Sequence, residues 1–268
     1  MSCSRQILGI RFFNGDVDEA VAFMFQNGGF LVAPSGTCFA RLREDEIYRR
    51  AVLAADLAIP DSGLMVVLWR LLRRENVQRI SGLKYLKHLL GKLKGEGTEI
   101  FWVLPGECAR QKLVDWSQRE SFSLTLENCY VAPWYGPQVE DRNLLALIEQ
   151  HRPANVIIAI GSGAQEKLGY YLRENLSYRP AIHCIGAALG FVTGDQAAIP
   201  DWADRFYRAF CGGQFYLAVP GGCAIARRPR RNTAHSAISA GKARIEFFRW
   251  PTRFGFTVVQ RTIASRFA

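Results

Sequence analysis

Apolar residues fall along this chain in short continuous runs, and between the runs they recur at helical spacing. Residues 7–13, 30–33, 57–60, 100–104, 124–131, 155–160 and 181–185 read as strands. Residues 16–26, 41–55, 65–73, 83–93, 109–119, 141–150 and 165–176 read as helices between them. Asp16 with Glu19 three positions on has the form of a capping box, and Gly28-Gly29 stops that first helix. Strands that are apolar throughout, rather than alternating, belong to a sheet covered on both faces. Their alternation with helices predicts an α/β, Rossmann-like fold with a mostly parallel sheet. In such a fold ligands bind at the carboxyl ends of the strands.

The pattern weakens after about residue 208. We therefore expect a core over residues 1–208 and an appendage over 209–268. The formal net charge of +10 is concentrated there: residues 227–268 hold ten Lys or Arg and one acid, Glu246. Phe247, Phe248, Trp250, Phe254 and Phe256 interleave with Arg244, Arg249 and Arg253. That mixture suits an anionic membrane surface. A nucleic-acid arm is the competing reading of the same charge. The remaining 49% hydrophobic, 22% charged composition is that of a folded chain and argues against disorder throughout.

Seven cysteines, with no CxxC and no Cys/His ligand spacing, suggest reduced thiols and no disulfide framework. Residues 1–9 lack the pattern of a signal peptide, and no apolar run reaches spanning length. These features predict a cytoplasmic protein that meets a membrane only peripherally.

Three places carry candidate chemistry. Asp61 follows the strand at 57–60, where a carboxylate can take a proton from a bound hydroxyl or can cap the following helix. Gly161-Ser162-Gly163 lies between the strongest strand and a helix, where glycines let a phosphate approach backbone N–H groups. Glu166, near such a phosphate, is better placed against a hydroxyl or an arginine. Arg79, before the helix at 83–93, either clamps a diphosphate or is a surface charge. Asp16-Val17-Asp18 spells a DxD, but its place at a helix start favours capping over metal binding. No metal or cofactor is expected. His183, inside an apolar strand, reads as a hydrogen-bonded core residue. The first strand lacks GxGxxG, which disfavours a nicotinamide-dependent oxidoreductase.

In order, these segments resemble the WecG/TagA/CpsF glycosyltransferases over about residues 8–208. Gly9 with Asp18-Glu19-Ala20-Val21 is similar to the family's opening. The stretch from Ala55-Asp56 to Pro60-Asp61-Ser62-Gly63 resembles its AD-strand-PDG motif, and Gln78-Arg79-Ile80-Ser81-Gly82 its ERVTG. Gly161 followed by Gln165-Glu166 resembles G-x-P-x-Q-E. Gly186 to Gly194, then Ile199-Pro200-Asp201-Trp202, resembles GVGA…G…RAPxW. The resemblance implies an inverting, metal-independent transfer of N-acetylmannosamine or a related sugar. The donor it implies is a UDP-sugar, and the acceptor a sugar linked to polyprenyl diphosphate. It implies a bacterial cell-envelope or exopolysaccharide pathway at the inner face of the plasma membrane, with self-association left open. By the same resemblance Asp61 is the base, and Ser35, Arg79, Gly161, Gln165, Glu166 and Gly186 contact substrate. Ala33 and Ser35 stand where the family carries Thr and Asn. That departure motivates the alternative of a catalytically impaired nucleotide-sugar-binding protein.

Overall fold

A computed structural model describes residues 4–36, 38–96, 99–194 and 196. Among them an eight-stranded sheet forms from β1 (Ser4–Ile7), β2 (Ile10–Phe13), β3 (Gly29–Val32), β4 (Leu57–Ala58), β5 (Ile100–Leu104), β6 (Cys129–Val131), β7 (Asn155–Ile158) and β8 (Ala181–Cys184). Across the sheet the order is β1-β2-β4-β3-β8-β7-β5-β6, and every pair but β1-β2 is parallel. The α/β, mostly parallel architecture read from the sequence is the one observed.

Alternate residues of each strand enter two separate cores. Leu31, Trp102 and Ile157 point to one, and Phe30, Val32, Phe101 and Ile158 to the other. The first core is closed by α1 (Val17–Asn27), α5 (Gly82–Glu96), α6 (Glu107–Arg119) and α9 (Ala188–Thr193). The second is closed by α2 (Cys38–Glu44), α3 (Glu46–Leu53), α4 (Gly63–Arg73), α7 (Arg142–His151) and α8 (Ala164–Asn175). With helices on both faces, the central strands are apolar on both sides, as their sequences require.

Three expected elements differ in detail. Residues 7–13 form a hairpin rather than one strand, because Leu8 and Gly9 take φ of 52° and 83° and turn the chain back. Two successive positive φ values match the right-handed twist of the flanking strands. The helix expected over 41–55 is two helices. Asp45, at φ −128°, leaves the helical region, and its side chain accepts the Tyr48 N–H at 3.0 Å to start α3. Residues 124–131 begin with a 3-10 turn (Leu126–Asn128) before β6. Cys38, Cys129 and Cys184 are free thiols, but Cys108 is in a disulfide, so the expectation of reduced cysteines fails at that position.

The amino ends of β3 and β4 are tied down by Asp56. Its carboxylate accepts the Phe30 N–H at 2.9 Å and pairs with Arg173 at 3.3 Å and Arg179 at 2.8 Å. His183 in β8 is wholly buried, with Nδ1 2.9 Å from the Tyr85 hydroxyl and Nε2 3.2 Å from Asn155 Oδ1. It is the hydrogen-bonded core residue that its surroundings in the sequence imply. Burial lowers its pKa to about 3, so the ring is neutral.

Candidate active site

The strands β4, β3, β8 and β7 are neighbours. Asp61, Ser35, Gly186 and Gly161 each lie just past the carboxyl end of one of them. Parallel strands bring those four ends to one edge, so residues 125 positions apart share one rim.

Asp61 is not the cap of the helix after it. Ser62 caps α4, its hydroxyl accepting the Met65 N–H at 3.3 Å. The Asp61 carboxylate instead accepts the Gly82 N–H at 3.1 Å, from the start of α5. Arg79 Nε donates to the Asp61 carbonyl oxygen at 2.7 Å, and its Nη2 lies 3.9 Å from the carboxylate. The Arg79 side chain is 8% exposed and that of Asp61 is 26% exposed. The surrounding protein disfavours the charged form and raises the Asp61 pKa, while Arg79 and the Gly82 N–H pull in the opposite direction. A carboxylate that is hydrogen-bonded, partly open and raised in pKa is suited to accepting a proton.

From Asp61 the rim continues by contact. A Cβ on Gly82 would lie 3.7 Å from the Ile185 carbonyl oxygen and 3.8 Å from the Ala188 Cβ. Gly186 takes φ +55°, and a Cβ there would lie 3.2 Å from Gln165 Nε2. Only glycine lets the backbone reach over Gln165 in that conformation. Gln165 is 4% exposed, its Nε2 donates to Glu166 at 3.1 Å, and its Oε1 is buried without a hydrogen-bond partner among the described residues. A buried acceptor left open next to the rim is a group a ligand can satisfy.

The turn at 161–163 is more self-contained than its sequence suggests. Glu166, wholly buried, accepts the Gly163 N–H at 2.5 Å, and the Gln165 N–H reaches the Gly161 carbonyl at 3.1 Å. Two N–H groups expected to face a phosphate are thus satisfied within the turn. Burial raises the Glu166 pKa, against the lowering influence of Gln165, the Gly163 N–H and Arg41. Gly161 itself is exposed, and a Cβ there would meet nothing within 4 Å.

Arg41, Cys38 and Tyr48 join Ser162 at this site, and sequence reasoning did not single out those three. Arg41 Nη1 donates to the Ser162 carbonyl at 2.6 Å, and a Cβ on Gly163 would lie 1.8 Å from that same nitrogen. Cys38 Sγ is 3.0 Å from Ser162 Oγ and 3.6 Å from Ser35 Oγ. Ser35 therefore contacts the glycine turn through Cys38. Its neighbour Gly36 has its Cβ direction 4.0 Å from Ser62 Oγ, which closes the rim back at Asp61. Tyr48 is wholly buried beneath; burial first, and the Glu166 carboxylate second, raise its pKa. The break at Asp45 places Cys38 and Arg41 on their own short helix, and Asp45 followed by Tyr48 was the one local signal for it. Lys167 Nζ fixes that break to α8, pairing with Asp45 at 2.5 Å and donating to the Pro137 carbonyl at 2.7 Å.

Past the carboxyl end of β6, a cleft of about 380 Å³ is lined by Tyr130, Trp134, Tyr135 and Asp141, among others. The two tyrosine hydroxyls donate to Asp141 Oδ2 at 2.9 and 2.7 Å, while Trp134 is 70% exposed. The DxD carboxylates are elsewhere and otherwise engaged. Asp16 and Glu19 form the capping box of α1, and Asp18 lies 2.7 Å from His88 Nδ1. Ile199-Pro200-Asp201-Trp202 and the basic appendage lie outside the described residues.

The rim coincides with a family match. The sequence model of the Glycosyl transferase WecG/TagA/CpsF family matches residues 5–209, which takes in all of the sheet but Ser4 and the whole rim. The chain belongs to this glycosyltransferase family. No curated protein matches the chain. The family fits the α/β sheet and the edge at which its site is built, and it makes the chain a transferase acting on a sugar donor and an acceptor in cell-envelope polysaccharide synthesis.

Proposed function

We propose that this glycosyltransferase inverts configuration as it moves N-acetylmannosamine, or a related sugar, from a UDP-sugar to a polyprenyl-diphosphate-linked acceptor. Asp61 takes the proton of the acceptor hydroxyl. The freed oxygen lone pair attacks the anomeric carbon, and the bond to the UDP oxygen breaks with its electrons leaving on UDP. One displacement inverts the centre. The observation that carries this reading is the state of Asp61: not a helix cap, raised in pKa, held by Gly82 and Arg79, and still open.

The leaving diphosphate needs positive charge. Arg41 supplies it beside the Gly161 turn, and Arg79 contributes near Asp61. This reading assigns no metal; Asp16 caps α1 and Asp18 is hydrogen-bonded to His88. Gln165 Oε1 accepts from a sugar or ribose hydroxyl, and Gly186 keeps room over it. Trp134, exposed at the otherwise largely polar cleft past β6, offers its flat ring to a ring of the donor. Residues 209–268 hold the enzyme to anionic lipid on the inner face of a bacterial plasma membrane.

The test is a screen of UDP-sugars for binding, followed by transfer to a short-chain prenyl-diphosphate sugar. Binding of a UDP-sugar with transfer to the lipid acceptor is the expected result. Binding without transfer to any such acceptor favours instead a nucleotide-sugar-binding protein that has lost its chemistry. That second reading draws on Ala33 and on Ser35, whose hydroxyl contacts Cys38.

A further inference from the structure

Helix α4 starts immediately after Asp61-Ser62 and turns an apolar face outward. Leu64, Leu68, Leu71 and Leu72 are 63%, 46%, 73% and 77% exposed. At 100° per residue they fall within an arc of about 100°, with Val66, which enters the core, on the opposite side and Met65 at the edge of the arc. Four large leucines in a continuous exposed stripe are not the isolated apolar residues normal to a protein surface.

The charges on this helix decide what covers the stripe. From Gly63 to Arg74 there are three arginines and no acid. All three arginines lie at the carboxyl end: Arg70 donates to Asn76 Oδ1 at 2.8 Å, Arg73 stacks 5.6 Å from the centre of the Trp69 ring, and Arg74 closes the helix. A leucine face with a cationic carboxyl end and no acid within the helix itself complements an anionic, apolar-cored surface. A second copy of the same face would bring like charges together. Eleven residues make a helix about 16 Å long, about half the hydrocarbon thickness, so it cannot cross a bilayer and must lie along it.

The geometry points to α4 as an interfacial helix that seats the chain on an anionic lipid bilayer, leucines inward and arginines at the headgroups. Its amino end is one residue from Asp61, so the seated helix sets the proton-accepting carboxylate at the level where a lipid-linked substrate carries its polar head. The inference deepens the lipid-acceptor reading of the site and rests on it for its purpose, but lipid binding can be measured without it.

The full chain is compared with its Leu68→Ser, Leu71→Ser, Leu72→Ser variant by co-sedimentation with phosphatidylglycerol-containing vesicles and with phosphatidylcholine vesicles. The basic appendage is intact in both proteins, so its contribution is common. The expected result is preference of the parent for anionic vesicles and at least tenfold weaker partitioning of the variant, with unchanged UDP binding and melting temperature. Equal partitioning of the two proteins overturns the proposal. So does a parent dimer that the substitutions convert to monomer, since the stripe is then a contact between copies. Weaker partitioning together with a parent that transfers sugar to no lipid-linked acceptor upholds the α4 surface and rejects the lipid-acceptor reading of the site.

Discussion

Arg79 holds the backbone of Asp61 more closely than it holds the carboxylate: Nε is 2.7 Å from the carbonyl oxygen, whereas Nη2 is 3.9 Å from Oδ1. A tight bidentate pair would neutralise the acid and make it a poor base. Here the guanidinium fixes the position of the residue and leaves its carboxylate largely unpaired. Arg79→Lys loses the planar fork and the fixed geometry while keeping the charge. Turnover should fall about 10- to 100-fold, the range a misplaced reacting group gives, with UDP binding changed less than about threefold. Steady-state kinetics beside calorimetric UDP titration check this.

Asp61 should cost stability for its function. Its folded pKa is raised, so its contribution to stability is fully present below the unfolded carboxylate pKa and is lost as pH rises through the folded value. At neutral pH the ionised group is therefore unfavourable in the fold. Asp61→Asn, which keeps an acceptor for the Gly82 N–H, should raise the melting temperature at pH 7 and leave it little changed at pH 3. Calorimetry at the two pH values is the check.

Arg41 is the exposed cation at the glycine turn, where Glu166 already occupies part of the helix terminus. Arg41→Ala should weaken UDP binding about tenfold or more, the loss of one charge-assisted hydrogen bond. UMP, with one phosphate fewer, should lose less. Gly163→Ala should act in the same direction, because φ is +94° and the new Cβ would displace the Arg41 guanidinium. Titrations with UDP and UMP distinguish these effects.

His183 gives a pH dependence of opposite sign to that of Asp61. Its folded pKa is lowered to about 3, so its contribution is present above the unfolded value near 6.5 and is lost as pH falls from there toward 3. Over that window it removes up to about 5 kcal/mol, less the gain from protonating Asp61 and Glu166. His183→Gln should flatten the fall in stability between pH 7 and pH 4. Urea unfolding at both pH values measures it.

Much of this arrangement could be read in the sequence because parallel strands carry a two-sided apolar code. Ile100 to Leu104 and Asn155 to Ile158 are buried at every position, and the two strands lie side by side in the sheet. Asp61 was legible as a carboxylate at a strand end, whereas Gly186, which takes a positive φ, entered only through the family resemblance. Arg41 and Cys38 were not legible. Their role depends on a helix break at Asp45 that is stabilised by Lys167 from far along the chain. The hairpin at Leu8-Gly9 was hidden for a similar reason, since Leu is an unusual residue at φ 52° and carries no turn signal. The outward leucines of α4 look in sequence like a core face, and only their exposure separates them from one.

The most direct measurement is a single-turnover comparison of the parent enzyme and Asp61→Asn, with saturating UDP-sugar and a short-chain prenyl-diphosphate acceptor. Loss of an essential base predicts a rate about 10²- to 10⁴-fold lower, with UDP-sugar affinity within about threefold of the parent. A variant that transfers sugar at close to the parent rate contradicts the assignment of Asp61 and, with it, the mechanism built on that edge of the sheet.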